Sequence, residues 1–319
     1  MHYIIHLDGN LTSYVFYNEV LGKLHNYYIE GKDKQLVFDF SQVKTIDPAV
    51  IPNLLCVGHI VTNSTGIAPK IFIPNNISAG KLKRYLYDIQ FITYAQKYGF
   101  FSFDDSIWAG MSESNMDKLN TTVFFGKSET EQESWSKIQR YCRRFSNKFL
   151  ERYNSYITPV NLILELSKEI VENSKEHGES FCFMTLQYNY SREKVYISYS
   201  DCGKGFFNSL KSKELSVENE LDAIVNGVYL RYEKPYGLYS VIKKTIASGG
   251  VVRIHSNKDQ LILTQNMTLP FEISNTDSIM KKLLSSDYLK NNIRKNLKFS
   301  GVHIEIEIPL SKGEVNRNV

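Results

Sequence analysis

Val195-Tyr196-Ile197-Ser198-Tyr199-Ser200-Asp201-Cys202-Gly203-Lys204-Gly205 is the stretch on which the fold turns. The alternation from Val195 to Ser200 predicts a strand, and Phe181 to Tyr190 alternates in the same way just before it, with Ser191-Arg192-Glu193-Lys194 in between. Two period-two runs joined by a short polar segment read as an antiparallel hairpin. The second strand runs straight into Asp-x-Gly-x-Gly. Glycines after a strand commonly mark only a turn or bulge, so these five residues take their weight from what surrounds them.

Upstream, Pro159 marks the entry to a helix over Val160 to His177, on which Glu169 and Asn173 are four residues apart and share one face. A carboxylate and an amide oxygen one turn apart can act on one ligand, although in isolation such a pair is usually solvated surface. Downstream comes a polar segment, Asn208 to Glu233. Tyr236-Gly237-Leu238 then opens a helix to about Ala247, and Gly249-Gly250 leads into a strand over Val251 to Ser256. Gly301 to Pro309 alternates as an edge or terminal strand. Five features thus follow one another in order.

Together they resemble the GHKL superfamily of gyrase, heat-shock chaperone, histidine kinase and mismatch-repair ATPases, over most of residues 160 to 310. Glu169-x-x-x-Asn173 is similar to the N box, Asp201-x-Gly203-x-Gly205 to the first glycine box, and Gly237-Leu238 to the second. The resemblance implies an α/β sandwich of the Bergerat type, with helices on one face of a mixed sheet, that binds ATP and Mg²⁺. In that reading Asp201 accepts a hydrogen bond from the adenine amino group, and Gly203 and Gly205 let the backbone approach the base and ribose. Asn173 gives a neutral oxygen to Mg²⁺, while Glu169, as the catalytic residue, orients or deprotonates a water. The helix opened by Gly237 and Leu238 offers free N–H groups to phosphate. His177, one turn past Asn173, either faces the phosphates or is a capping or solvated residue. Asn208 to Glu233 forms the lid, with Gly227 as its hinge. Two positions depart from the family. Pro235 stands where a phosphate-contacting glycine is usual and has no N–H to offer, and Val302 replaces a frequent threonine.

The first hundred residues alternate strands and helices: strand Met1 to Leu7, helix Leu11 to Ile29, strand Gln35 to Phe40, helix Ala49 to Val61, strand Lys70 to Pro74 and helix Ala79 to Gln90. This pattern predicts a small α/β layer domain. Leu36 to Asp47 resembles the strand and turn of STAS domains, the fold of anti-sigma-factor antagonists. In signalling members a phosphorylated serine follows the aspartate of this turn, whereas Pro48 and Ala49 follow Asp47 here. The expected division is a STAS-like domain over 1–110, a polar linker over 111–134, an ATP-binding domain over 135–312 and a tail over 313–319.

The composition of the 319 residues, 42% hydrophobic and 23% charged, suits folded domains rather than extended disorder. The longest apolar stretch, Ala49 to Thr62, is broken by Asn53 and His59 and is too short to span a bilayer. No secretory leader is expected. The four cysteines form no Cys-x-x-Cys pair, which fits a cytoplasmic protein, and Cys202 reads as a small space-filling residue. Seven scattered histidines give no zinc spacing, and no P-loop is present. A net charge of +4 does not by itself imply nucleic acid. Residues 277–298 read as a basic amphipathic helix pair, either solvated or in contact with a partner protein or acidic polymer.

Three functions follow: a Mg-ATP-binding switch with slow hydrolysis that regulates a partner through the STAS-like domain, a serine/threonine kinase resembling anti-sigma kinases, or a non-catalytic nucleotide-binding module. An autophosphorylating histidine kinase fits less well, because the helix expected over Trp135 to Tyr156 carries no histidine.

Overall fold

The computed structural model describes residues 1–74, 77–104, 107, 120–125, 132–133, 135–140, 142–143, 147, 164–165, 181–189, 193–229, 237–264, 293–294 and 298–309. Among them are a parallel sheet and an antiparallel sheet, each with helices.

The N-terminal unit begins with β1 (His2–Leu11) and α1 (Ser13–Val15), which continues through a π-helical stretch, Phe16–Val20, into α2 (Leu21–Glu30). Next come β2 (Gln35–Ile46), α3 (Val50–Thr65), β3 (Lys70–Phe72), α4 (Ile77–Asp88), α5 (Phe91–Lys97) and β4 (Ser102–Phe103). The strands lie in the order β1-β2-β3-β4 and every neighbouring pair is parallel. Parallel neighbours require a crossover, and the helices supply it. β1 runs four residues beyond the expected Leu7 because two register shifts, after His6 and after Gly9, let it keep pairing with β2. The Thr12 side chain then accepts the Val15 N–H and starts the helix.

α3 is buried on most sides, including Asn53, Cys56 and Gly58. Its apolar run reflects two packing partners: its own sheet and the second sheet beyond it. At Gly58 a Cβ would press into the Phe101 ring and the Phe100 carbonyl, so that close approach needs glycine.

The second sheet contains β5 (Asn120–Phe125), β6 (Cys182–Asn189), β7 (Lys194–Asp201), β8 (Val251–Ser256), β9 (Asp259–Thr264), β10 (Ile293–Arg294) and β11 (Val302–Pro309). Their order is β10-β9-β8-β11-β7-β6-β5, and each described pairing is antiparallel. The expected mixed sheet is therefore corrected. β7 and β8 do run in the same direction, joined by a helical crossover, but β11 lies between them and bonds to both.

Three other expectations change. Residues 120–125, assigned to the linker by their polar surroundings, are the edge strand β5 paired with β6. β11 sits at the centre of the sheet rather than at an edge. Ile293–Arg294, inside the expected helix pair of 277–298, forms β10 on β9, and the rest of that insertion lies almost entirely outside the described residues.

The crossover holds α6 (Gly205–Lys211), α7 (Glu220–Tyr229) and α8 (Leu238–Ala247). Leu221, Ile224, Val225 and Val228 of α7 recur at helical spacing and are buried against the sheet. Each such side chain contributes about 1.5–3 kcal/mol on burial. The lid expected over Asn208 to Glu233 is thus corrected, because much of that segment is core-forming helix. Gly227, its expected hinge, lies inside α7, where a Cβ would meet the Phe206 ring.

The seven-stranded sheet separates two environments. Met184, Leu186, Val195, Ile197, Val252, Ile254, Ile304 and Ile306 share a core with α7 and α8. On the other face, Ser198 bonds to the Ala49 carbonyl and Ser200 to the Asn53 side chain, so the N-terminal unit docks there. Phe183 and Phe299 of the second unit join the N-terminal core. Among the described residues no helix is long and apolar enough to cross a membrane.

Candidate functional site

β7 delivers Asp201 to its C-terminal end. Alternation along the strand turns Val195, Ile197, Tyr199 and Asp201 toward the helix-covered face. Asp201 is buried. Its Oδ1 accepts the Gly203 N–H at 2.8 Å and the Val302 N–H at 3.1 Å, and its Oδ2 accepts the Tyr199 hydroxyl at 3.0 Å. A carboxylate offers about four acceptor positions, so Oδ2 keeps capacity for one more donor. Burial pushes the Asp201 carboxyl above the usual carboxylate range, while the hydrogen bonds from Gly203, Val302 and Tyr199 pull the other way.

Gly203 therefore acts through its N–H, folding the turn back onto the carboxylate. Gly205 has φ +75° and opens α6, and a Cβ there would collide with the Asn257 side chain. Its glycine is required by a protein neighbour. Gly301, with φ +102°, is tighter still, since a Cβ would overlap the Asp201 carbonyl. Only glycine suits that combination of φ and contact.

Asn257 holds these pieces together. Its Nδ2 donates to the Lys204 carbonyl and to Glu220 Oε1, both at 2.9 Å, and its Oδ1 accepts the Gly301 N–H at 3.1 Å. Ser256 Oγ donates to Glu220 Oε2 at 3.2 Å and accepts the Phe206 N–H at 2.9 Å. Burial raises the Glu220 carboxyl above its ordinary range, opposed by the bonds from Asn257 and Ser256. One β8–β9 turn thereby fixes the start of α6, the first turn of α7 and the entry to β11.

Gly237 caps α8 with φ 106°, and Leu238 is its first residue. At the other end of α8 the chain turns through Gly250, against the Glu307 carbonyl, and returns as β8. β8 ends at Ser256, opposite Val302, so the N-terminal end of α8 points toward the same end of the sheet as Asp201. A helix start carries free N–H groups and positive potential.

Of the residues singled out from the sequence, Asp201, Gly203 and Gly205 are held together at this end of the sheet, and the helix start at Gly237 and Leu238 is directed toward it. Glu169, Asn173 and His177 lie outside the described residues, as does Pro235. Among the described residues no group of three or more His, Cys, Asp or Glu is arranged to hold a metal ion. Tyr199 and Asn257 escaped the sequence reading as partners of the site, and Val302, noted there for its side chain, acts through its backbone N–H. Tyr199 alone left a local signal, standing two residues before Asp201 and hence on its face. No family model matches the sequence, and no curated protein matches it.

Proposed function

We propose that the chain is a Mg-ATP-binding switch protein built as a GHKL-type sandwich behind a STAS-like unit, with the nucleotide at the Asp201 end of the seven-stranded sheet. The observation that carries this reading is Asp201 itself: a buried carboxylate at a strand end, held by three donors, with acceptor capacity left on Oδ2. That remaining acceptor position fits an amino N–H such as the one adenine presents. The direction of α8 supports an anion nearby. Bound ATP would supply a transferable phosphoryl group. Tyr199, Gly203 and Val302 orient the carboxylate that selects the base, and Asn257 keeps the Lys204–Gly205 turn against Gly301. Glu169 is assigned to water orientation, Asn173 to Mg²⁺ and His177 to the phosphate side, following the resemblance.

Docking of α3 behind β7 supports a regulatory role for the N-terminal unit. Ser198 and Ser200, which bond to Ala49 and Asn53, alternate with the residues leading to Asp201.

A thermal-shift titration tests the reading. Mg-ATP at about a hundred times its dissociation constant adds roughly 2.7 kcal/mol of stability, and Asp201→Asn weakens ATP binding at least about tenfold, the size of one lost hydrogen bond to a charged group, while the circular dichroism stays unchanged. A melting temperature no higher with ATP than with buffer sinks the proposal. So does an Asp201→Asn protein that binds ATP as well as the wild type. Labelled ATP then sorts the chemistry, since label on a protein partner marks a kinase and free phosphate an ATPase.

A further inference from the structure

Cys202 follows Asp201, and strand alternation sends it to the other face. It packs with the N-terminal core, not with the helices that cover Asp201. Its Sγ lies 3.9 Å from the carbonyl oxygen of Cys56, in the middle of α3. Burial, with the Cys202 side chain as the second cause, pushes the Cys56 thiol well up. Cys56 is shut off from solvent whereas Cys202 is only partly covered. The other two thiols sit elsewhere: Cys142 and Cys182 both belong to the core between the sheet and its helices. Among the four cysteines, then, one pair joins the two units, with one member reachable from solvent and the other waiting behind it.

We infer that Cys56 and Cys202 are a redox site, forming a reversible disulfide between the N-terminal unit and the turn after Asp201, with a peroxide as oxidant. The thiolate is the reactive form. Cys202, the reachable member, attacks one peroxide oxygen. The O–O bond breaks, one oxygen leaves as water after taking up a proton, and Cys202 becomes a sulfenic acid. The Cys56 sulfur then attacks the Cys202 sulfur, the S–O bond breaks, and the hydroxyl leaves with the Cys56 proton as a second water. Two thiols and one hydrogen peroxide give one disulfide and two waters. The peroxide takes up two electrons, one from each sulfur. An added dithiol returns both thiols by exchange. This inference rests on the packing of the two cysteines and is independent of nucleotide binding.

Peptide mapping tests it. The full-length protein is reduced, desalted, treated with hydrogen peroxide, alkylated and digested without reductant. The expected product is a cross-linked peptide pair containing Cys56 and Cys202, abolished by dithiothreitol, retained in Cys182→Ser and lost in Cys202→Ser. Because the bridge spans 146 residues, it compacts the denatured chain, and the oxidised protein runs faster on a non-reducing denaturing gel. If Cys202→Ser does not fold, the wild-type map and Cys182→Ser decide. Recovery of Cys56 alkylated beside a sulfinic Cys202 overturns the inference, as does a cross-link made through Cys142 or Cys182.

Discussion

Among the described residues the two faces of the seven-stranded sheet are both largely buried and chemically opposite. Toward α7 and α8 the strands present Leu186, Ile197, Ile254, Ile304 and Ile306; toward the N-terminal unit they present Thr185, Ser198, Ser200, His255, Gln260, His303 and Glu305. The first face drives folding through area removed from water. On the second, Asn53 bonds to Ser200, Tyr17 and Glu305, and Arg253 bonds to Glu307. That face also carries a burden. His255 Nδ1, His303 Nδ1, Glu305 Oε2 and the Gln260 amide are buried with no hydrogen-bond partner among the described residues. Burial is the leading cause that lowers both histidines, His255 to about 4 and His303 well below its ordinary value, so both remain neutral at pH 7. The difference teaches that burial alone does not reveal what a contact contributes. Apolar contacts stabilise without direction, whereas the polar ones prescribe which surface of α3 docks where, at a small net gain.

The comparison breaks if the apolar face turns out to be the weaker one. Ile306→Ala should cost about 2–5 kcal/mol, read from urea unfolding, because the cavity lies in a packed interior. A cost below that of any polar-face substitution would reverse the ranking.

Glu305 sharpens it through pH. Burial, the largest cause, lifts its carboxyl from 4.5 to about 7. Below pH 4.5 the group is protonated whether the chain is folded or unfolded, and nothing is lost. Between 4.5 and 7 the unfolded chain releases a proton that the folded chain keeps, so the contribution of Glu305 to stability falls as pH rises through this window and then levels off. A rise of that size corresponds to roughly 3 kcal/mol. Relative to wild type, Glu305→Gln should gain up to that amount between pH 4.5 and 8 in paired urea titrations. The histidines contribute alike to both proteins and cancel in the difference. A constant gap across this range would show that Glu305 titrates normally.

Asn53→Ala should cost about 1–3 kcal/mol by stranding Ser200 and Tyr17 in the interface. Hydrogen exchange should reveal faster opening of β7 than of β8. Equal acceleration everywhere would argue against a local clamp. The smallest effect is expected at the rim, where Lys194 meets Glu307 at 3.2 Å with much of the lysine in solvent. Lys194→Ala should change stability by less than about 1 kcal/mol, and less again in high salt.

Much of this was legible beforehand, for local reasons. The β6–β7 hairpin, β8 and the helix begun by Leu238 announce themselves by alternation, helical spacing and glycine punctuation, and the Asp201–Gly205 turn by its place after a strand. β5 was hidden because Asn120-Thr121-Thr122-Val123-Phe124-Phe125 is a six-residue strand in polar surroundings whose role depends on a partner more than fifty residues away. Asn257 was hidden for the same reason, since its partners at Lys204, Glu220 and Gly301 are 53, 37 and 44 residues distant. The helices of the supposed lid were masked by the polar stretch between them, Ser212-Lys213-Glu214-Leu215-Ser216-Val217-Glu218-Asn219.

By itself the sequence determined the β6–β7 hairpin, β8, the helix begun by Leu238 and the residue that closes β7, because those properties depend on periods of two and 3.6 residues within one segment. Tertiary structure alone decided that β11 enters between β7 and β8, that Gly301 must be glycine beneath the Asp201 carbonyl, and that the reverse face of the sheet is polar yet covered. Each of these depends on segments distant in the chain meeting at van der Waals distance, and no local pattern encodes which partner will be there.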